Sequence, residues 1–186
     1  MIPKKEGTVR FITEYLRLNH KLIKQTYLLP RIGKTMQQLE ALLYATVLYL
    51  NMGYYTIRLL TYIQDTTTIV NGFGKYRHNR LPMGMCASED IFQAKVDDLI
   101  GDTKDAKTYI NDILVLIKDC FTQHIEKLRI IFKRLRTSDL KLNAPKCSFG
   151  LKDIPYLGFV ITREGIKPNP KKLQEIIDIG RPTTKK

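Results

Sequence analysis

Asn111 and Asp112 stand together between apolar residues, with Tyr109-Ile110 before them and Ile113 to Ile117 behind, in the stretch Lys107 to Lys118. Turn-forming residues flanked by β-compatible runs are the signature of a tight hairpin, which places a carboxylate and a carboxamide at a strand end. Far upstream, the apolar run Ala45 to Leu50 carries Tyr49 near its end and closes on Asn51-Met52-Gly53, and it predicts the first strand of the core. Between the two, Ser88 is a good N-cap, Glu89 and Asp90 suit a first turn, and Ile91, Phe92, Val96 and Leu99 supply an apolar face, so a helix is predicted to about Ile100. A helix that joins two strands of one sheet makes those strands parallel. Tyr49 is then brought to the rim that carries Asn111 and Asp112. The three offer a phenol, a carboxamide and a carboxylate, of which only Asp112 is anionic, and this rim is where chemistry is to be sought.

The remaining elements follow from periodicity. Thr8 to Glu14 suggests a strand through Val9, Phe11 and Tyr15, and Ile32, Met36, Leu39 and Leu43 lie at helical spacing. Tyr54 to Pro82, rich in Thr, Val, Ile and Tyr and broken at Asn71-Gly72 and Gly74, reads as β-structure with one or two turns. Ile125, Leu128, Ile131, Phe132 and Leu135 define an amphipathic helix whose outer face carries Lys127, Arg129, Lys133, Arg134 and Arg136. Short strands are expected near Leu140 to Asn143 and around Tyr156 to Thr162, and Asn169-Pro170 caps a last helix bearing Leu173, Ile176 and Ile177. From residue 44 to 143 the order is β-α-β-β-α-β, an α+β class with helices on one face of a ferredoxin-like sheet.

Composition narrows the partner. Thirty-one Lys and Arg against eighteen Asp and Glu give a net charge of +13 and a pI near 9.7, which points to a polyanionic partner, nucleic acid first, with a merely basic solvated surface as the alternative that charge alone leaves open. Three cysteines, Cys86, Cys120 and Cys147, have no C-x-x-C spacing and read as reduced thiols in the core of an intracellular protein, cytoplasmic or nuclear. No apolar run reaches the roughly 18 residues of a membrane span, and none follows Met1 as a signal peptide would require.

The chain resembles the reverse transcriptase of gypsy-type LTR retrotransposons. The likeness rests on Lys4-Lys5 through Arg10, Tyr15 to Asn19, Leu29-Pro30-Arg31-Ile32, Asn51-Met52-Gly53-Tyr54, Leu81-Pro82-Met83-Gly84, Ile91-Phe92-Gln93, Tyr109 to Ile113, Leu140 to Lys146 and Tyr156-Leu157-Gly158, in order along nearly the whole sequence. What the resemblance implies is a right-hand polymerase that copies RNA into DNA. Residues 1–43 would be a fingers segment and the first palm helix, 44–54 the first palm strand, 55–87 a fingers insertion, 88–153 the palm core with its hairpin, and 154–186 the primer-grip region and the start of a connection toward the thumb. Thumb and ribonuclease H domains are not expected within these residues, so the chain is expected to be a piece of a longer product. The implied partners are an RNA or DNA template-primer duplex and a deoxynucleoside triphosphate.

Such polymerases hold two magnesium ions about 4 Å apart, and hard ions demand anionic oxygen ligands. The family's three aspartates fall on Tyr49, Asn111 and Asp112 of this chain. A phenol with a pKa of about 10 stays neutral at working pH, and a carboxamide keeps an oxygen but no charge. The resemblance assigns Lys146 as a candidate general acid for pyrophosphate, Arg10 with Lys4 or Lys5 to the triphosphate, Gly53 and Tyr54 to the sugar of the incoming nucleotide, Met83 and Gly84 to the loop beneath the templating base, and Leu157 and Gly158 to the primer grip. Taken without the resemblance, these same residues read as a turn glycine beside a core tyrosine, terminal and surface lysines, a turn, and a strand bulge. Glu89 stands where the family usually has proline and Phe73 where it has tryptophan. With Tyr49 and Asn111, these departures suggest a sequence drifting without selection for activity. Three readings follow: an active or formerly active polymerase, a non-catalytic nucleic-acid-binding module, and a transposon remnant without a stable fold.

Overall fold

The computed structural model describes residues 2–3, 7, 9–23, 27–29, 43–117 and 120–179. The helix expected through Ile32, Met36 and Leu39 lies outside them, as do Lys4 and Lys5. In chain order the elements are β1 (Ile2–Pro3), β2 (Val9–Arg10), α1 (Leu16–Asn19), β3 (Tyr44–Asn51), a 3₁₀ turn (Gly53–Thr56), α2 (Thr61–Thr66), β4 (Ile69–Asn71), β5 (Gly74–Tyr76) and α3 (Ser88–Ile100). They continue with β6 (Ala106–Tyr109), β7 (Asp112–Ile117), α4 (Phe121–Thr137), β8 (Lys141–Leu142), a second 3₁₀ turn (Ala144–Lys146), β9 (Ser148–Leu151), β10 (Ile154–Tyr156), β11 (Phe159–Thr162), β12 (Gly165–Pro168) and α5 (Pro170–Ile177). The fold is mixed α+β, and with α2, β4 and β5 set aside as an insertion after β3, the elements from β3 to β8 follow the expected β-α-β-β-α-β order.

The central sheet runs β6-β7-β3-β8, with β9 also pairing β3. β7 is antiparallel to both β3 and β6, so β3 and β6 are parallel to each other, as a helical crossover between them requires. The hairpin's second strand lies between them. Along β3 the residues alternate between two cores. Leu48 and Leu50 join Ile113 and Val115 against Phe92, Val96 and Ile100 of α3 and Leu128, Ile131 and Leu135 of α4. Ala45 joins Leu114 and Leu116 against Ile154, Tyr156 and Ile161 of the β10–β11 hairpin. Coverage on both faces explains why Ile113 to Ile117 reads as an unbroken apolar run, where a sheet with one wet face would alternate. Each such side chain removed from water contributes about 1.5–3 kcal/mol.

Several expectations are corrected. Of the stretch Thr8 to Glu14, only Val9–Arg10 is strand among the described residues, paired with Ile2–Pro3. Within Tyr54 to Pro82 a short helix, α2, precedes the β4–β5 hairpin. The hydroxyls of Thr66, Thr67 and Thr68 donate back to the carbonyls of Ile63, Gln64 and Asp65, each at 2.7 Å; threonines that suggest a strand instead satisfy the end of a helix. Ser88 is not the cap of α3. It is buried, and its Oγ donates to the Pro82 carbonyl at 2.7 Å, fastening the 82–87 loop to the helix. The expected strand at Tyr156 to Thr162 is broken at Leu157-Gly158 into β10 and β11. Both residues have positive φ, 47° and 85°, the conformation of a two-residue hairpin loop closed by the pair Tyr156 and Phe159. None of the cysteines is fully buried: Cys147 is half-buried against the helix-side core, Cys86 is half-buried, and Cys120 is exposed. The cap at Asn169 is as expected, its Oδ1 accepting from Lys171 N at 3.0 Å.

A buried polar cluster joins sheet to helix. Thr46 Oγ1 lies 2.7 Å from His124 Nε2 on α4 and accepts from Gly150 N at 3.0 Å, while His124 Nδ1 is buried with no partner. Thr46→Val keeps the shape but leaves the imidazole and the Gly150 amide unpaired, and an unmade buried hydrogen bond costs about 1–3 kcal/mol. The urea midpoint of Thr46→Val should fall accordingly; an unchanged midpoint would show that the cluster does not hold β3 to α4.

Candidate active-site rim

The rim is set by the register of β3 on β7, in which Tyr49 faces Asp112. Leu50 N donates to the Asn111 carbonyl at 2.8 Å. The backbone of Tyr49 bonds the other way, its carbonyl accepting from Asn143 N at 2.8 Å and its amide meeting Cys147 Sγ at 3.3 Å. Tyr49 and Asp112 are therefore the closely spaced, non-hydrogen-bonded kind of antiparallel pair, in which side chains approach most nearly. Both point to the sheet face that carries β10 and β11.

The hairpin tip lies one residue earlier than the sequence suggests. Tyr109 pairs with Asp112, so the loop residues are Ile110 and Asn111, and Asp112 opens β7. Ile110 takes a φ of +50°, which costs a β-branched residue about 1–3 kcal/mol. Two bonds hold the tip: Asn111 O to β3, and Ile110 N donating to Oε1 of the buried Gln93 on α3 at 2.6 Å.

Lys146, at the end of the second 3₁₀ turn, carries its ammonium 5.0 Å from the centre of the Tyr49 ring, within cation–π range. Burial pushes the Asp112 carboxyl above its ordinary value. Tyr156, across from the rim, has a buried hydroxyl with no partner, and burial first, then the charges of Asp112 and Tyr109, push its phenol upward. A cation arriving here would meet one carboxylate beside an ammonium-capped phenol. Among the described residues no group of three His, Cys, Asp or Glu side chains could hold a metal ion. The two magnesium ions implied by the resemblance therefore do not fit this set of donors.

The other residues singled out in the sequence stand as follows. Gly53 is buried under the ring of Phe92, and a Cβ there would force that buried ring to shift. Tyr54 is buried with its ring 4.9 Å from that of Phe92, and burial, with Glu89 and Tyr49 adding to it, pushes its phenol up to about 12. At Gly84, φ is +99° and a Cβ would lie 2.6 Å from the Thr13 carbonyl. Asn19 joins this loop to the N-terminal segment, donating to Gly84 O and accepting from Cys86 N, both at 2.9 Å. Met83 is half-buried against the helix-side core. Leu157 and Gly158 form the β10–β11 turn. Arg10 falls in β2, and Lys4 lies outside the described residues. Gln93 carried no role in the sequence reading; its signal was a polar residue beside the apolar stripe of Phe92, Val96 and Ile100.

Comparison with known proteins decides the family. Residues 2–161 match the profile described as Reverse transcriptase (RNA-dependent DNA polymerase). The chain belongs to the reverse transcriptases of gypsy-type LTR retrotransposon Pol polyproteins. It is 32% identical over its whole length to the retrovirus-related Pol polyprotein from transposon opus of Drosophila melanogaster and covers 19% of that protein. Against the corresponding polyprotein from transposon gypsy of the same organism it is 28% identical over 93% of its length, covering 17% of the relative. The reverse transcriptase chain thus spans under a fifth of these relatives. Among solved structures it resembles the foamy viral protease-reverse transcriptase in complex with double-stranded DNA, with a TM-score of 0.92 at 22% identity over 97% of this chain and 32% of that one. The same viral protein in complex with an RNA/DNA hybrid gives a TM-score of 0.86, also at 22% identity, over 97% of this chain and 24% of that one. Among the described residues no helix is long and apolar enough to cross a membrane.

Because burial raises the Asp112 carboxyl, the folded state favours its protonated form and binds more protons than the unfolded chain just above the ordinary aspartate value. Charged Asp112 then opposes folding at neutral pH, and this cost fades as pH falls toward that value. Asp112→Asn should unfold at higher urea than the unaltered chain at pH 7, with the gain disappearing near pH 3. A variant that is less stable at pH 7 would show that the carboxylate is favourably paired instead.

Proposed function

We propose that this chain is the fingers and palm of a retrotransposon reverse transcriptase in a copy that holds a primer-template duplex but does not polymerise. The palm is the β3–α3–β6–β7–α4–β8/β9 unit in a ferredoxin-like arrangement, flanked by a fingers region in the N-terminal segment and residues 55–87. The observation that carries the reading is the facing pair Tyr49 and Asp112, the position where the family needs facing carboxylates. Asn111 removes a second charge at the tip. In a partly dehydrated site the missing attraction amounts to several kcal/mol, and every 1.4 kcal/mol or so is tenfold in rate.

What this chain's own residues still supply is binding. The excess of thirty-one basic over eighteen acidic residues favours a phosphate backbone, and the structural relatives are complexes with double-stranded DNA and RNA/DNA hybrid. Gly53, Tyr54, Met83 and Gly84 are the proposed nucleotide-side residues and Leu157-Gly158 the proposed primer contact. Lys146, turned onto Tyr49, stands beside the rim as the proposed proton donor to pyrophosphate, a role that lapses without chemistry at the rim.

Restoration tests both halves of this reading. The unaltered chain should extend no primer on an RNA template with magnesium, yet should bind the duplex with an affinity that falls steeply as salt rises. Tyr49→Asp with Asn111→Asp should gain extension that neither single change gives. Extension by the unaltered chain that survives Asp112→Ala would refute the site assignment, and duplex binding indifferent to salt would refute the binding role.

A further inference from the structure

Gln93 lies in the middle of α3, fully buried, and its amide is used at both ends. Its Oε1 accepts from Ile110 N at 2.6 Å, at the one loop residue of the hairpin held at positive φ. Its Nε2 donates to Asp97 Oδ1 at 2.8 Å and approaches Thr108 Oγ1 at 3.1 Å. Asp97, one helical turn further along, also accepts from the Thr108 hydroxyl. Its second oxygen accepts from the Tyr27 hydroxyl at 2.9 Å. The orientation of the Gln93 amide is thereby fixed: nitrogen toward the carboxylate, oxygen toward the hairpin.

A tight loop whose first residue is isoleucine has no conformational reason of its own to hold φ at +50°, a region that β-branched side chains avoid. Sequences that need it place glycine or asparagine there. Here an acceptor that cannot move away, because Asp97 and Thr108 hold its other end, meets the Ile110 amide. We propose that Gln93, aimed by Asp97, is the positioning residue of the hairpin tip: it imposes the strained turn at Ile110 that closes β6 on β7 and fixes how Asn111 and Asp112 are presented at the rim, rather than touching any substrate itself. A buried polar residue on a helix face otherwise packed with Phe92 and Val96 has its explanation in this bond. In its bearing on metal and catalysis the inference rests on the proposed reading of the rim; in its bearing on the turn it does not.

The test has two arms. In the unaltered chain the Ile110 amide should exchange with solvent slowly and its coupling constant should report positive φ. Gln93→Met, of similar bulk and without an acceptor, should make that amide exchange at least tenfold faster while amides in the middle of β7 keep their protection. Loss of protection everywhere would mean that the variant has failed to fold, and the unaltered chain alone then decides: an Ile110 amide exchanging like that of a free loop overturns the proposal. The second arm uses the Tyr49→Asp, Asn111→Asp chain titrated with Mn²⁺ and read by water proton relaxation. Adding Gln93→Met should weaken Mn²⁺ binding about tenfold or more, as loss of a supporting shell does; unchanged binding overturns the proposal. If the restored chain binds no Mn²⁺ at all, the reading of the rim has failed, and Gln93 is judged on the Ile110 amide alone.

Discussion

The antiparallel pairing of β3 with β7 is the constraint on which everything else depends. Side chains alternate along a strand with a period of two, so a slip of one residue would exchange the two faces of the sheet. Leu48, Leu50, Ile113 and Val115 would leave the helices, and Ala45, Leu114 and Leu116 would leave the β10–β11 hairpin. Two separate cores thus enforce one register. That register sets Tyr49 against Asp112.

The rim inherits its chemistry from this geometry and from little else. Packing the sheet on both sides dehydrates the strand ends, which raises the Asp112 carboxyl and the Tyr156 phenol together. A rim of this kind suits an ion only if several carboxylates share the charge, and here one stands alone beside a phenol capped by Lys146. The scaffold around it is tied in place by side-chain contacts: the Phe92 ring packed over Gly53, the Asn19 bonds to the 82–87 loop, and the Gln93 bond to the tip.

Much of the framework was legible in the sequence because periodicity reports burial directly. The helices over Ser88–Ile100 and Phe121–Thr137 and the hairpin between them stood out, and the parallel relation of β3 and β6 followed from the crossover alone. The same crossover carries Tyr49 to the sheet edge that holds Asn111 and Asp112, where the register of β3 on β7 has it. What misled were residues whose side chains bond back to their own backbone. Thr66 to Thr68 looked like strand and finish a helix, Ser88 looked like a cap and grips a loop, and Leu157-Gly158 looked like a bulge and is a turn. The position of the tip was misplaced by one residue because a strained isoleucine carries no local signature; its partner on α3 supplies the reason. The contact of Lys146 with Tyr49 is likewise long-range, and no spacing announces it.

The register itself can be observed. In a non-hydrogen-bonded antiparallel pair the two α-protons come close together, so the nuclear Overhauser spectrum of the unaltered chain should contain a strong cross-peak between the α-protons of Tyr49 and Asp112. That peak would place the phenol and the carboxylate side by side at the rim. Its absence, or a strong α-proton peak from Asp112 to Leu48 or Leu50 in its place, would contradict the account at its root.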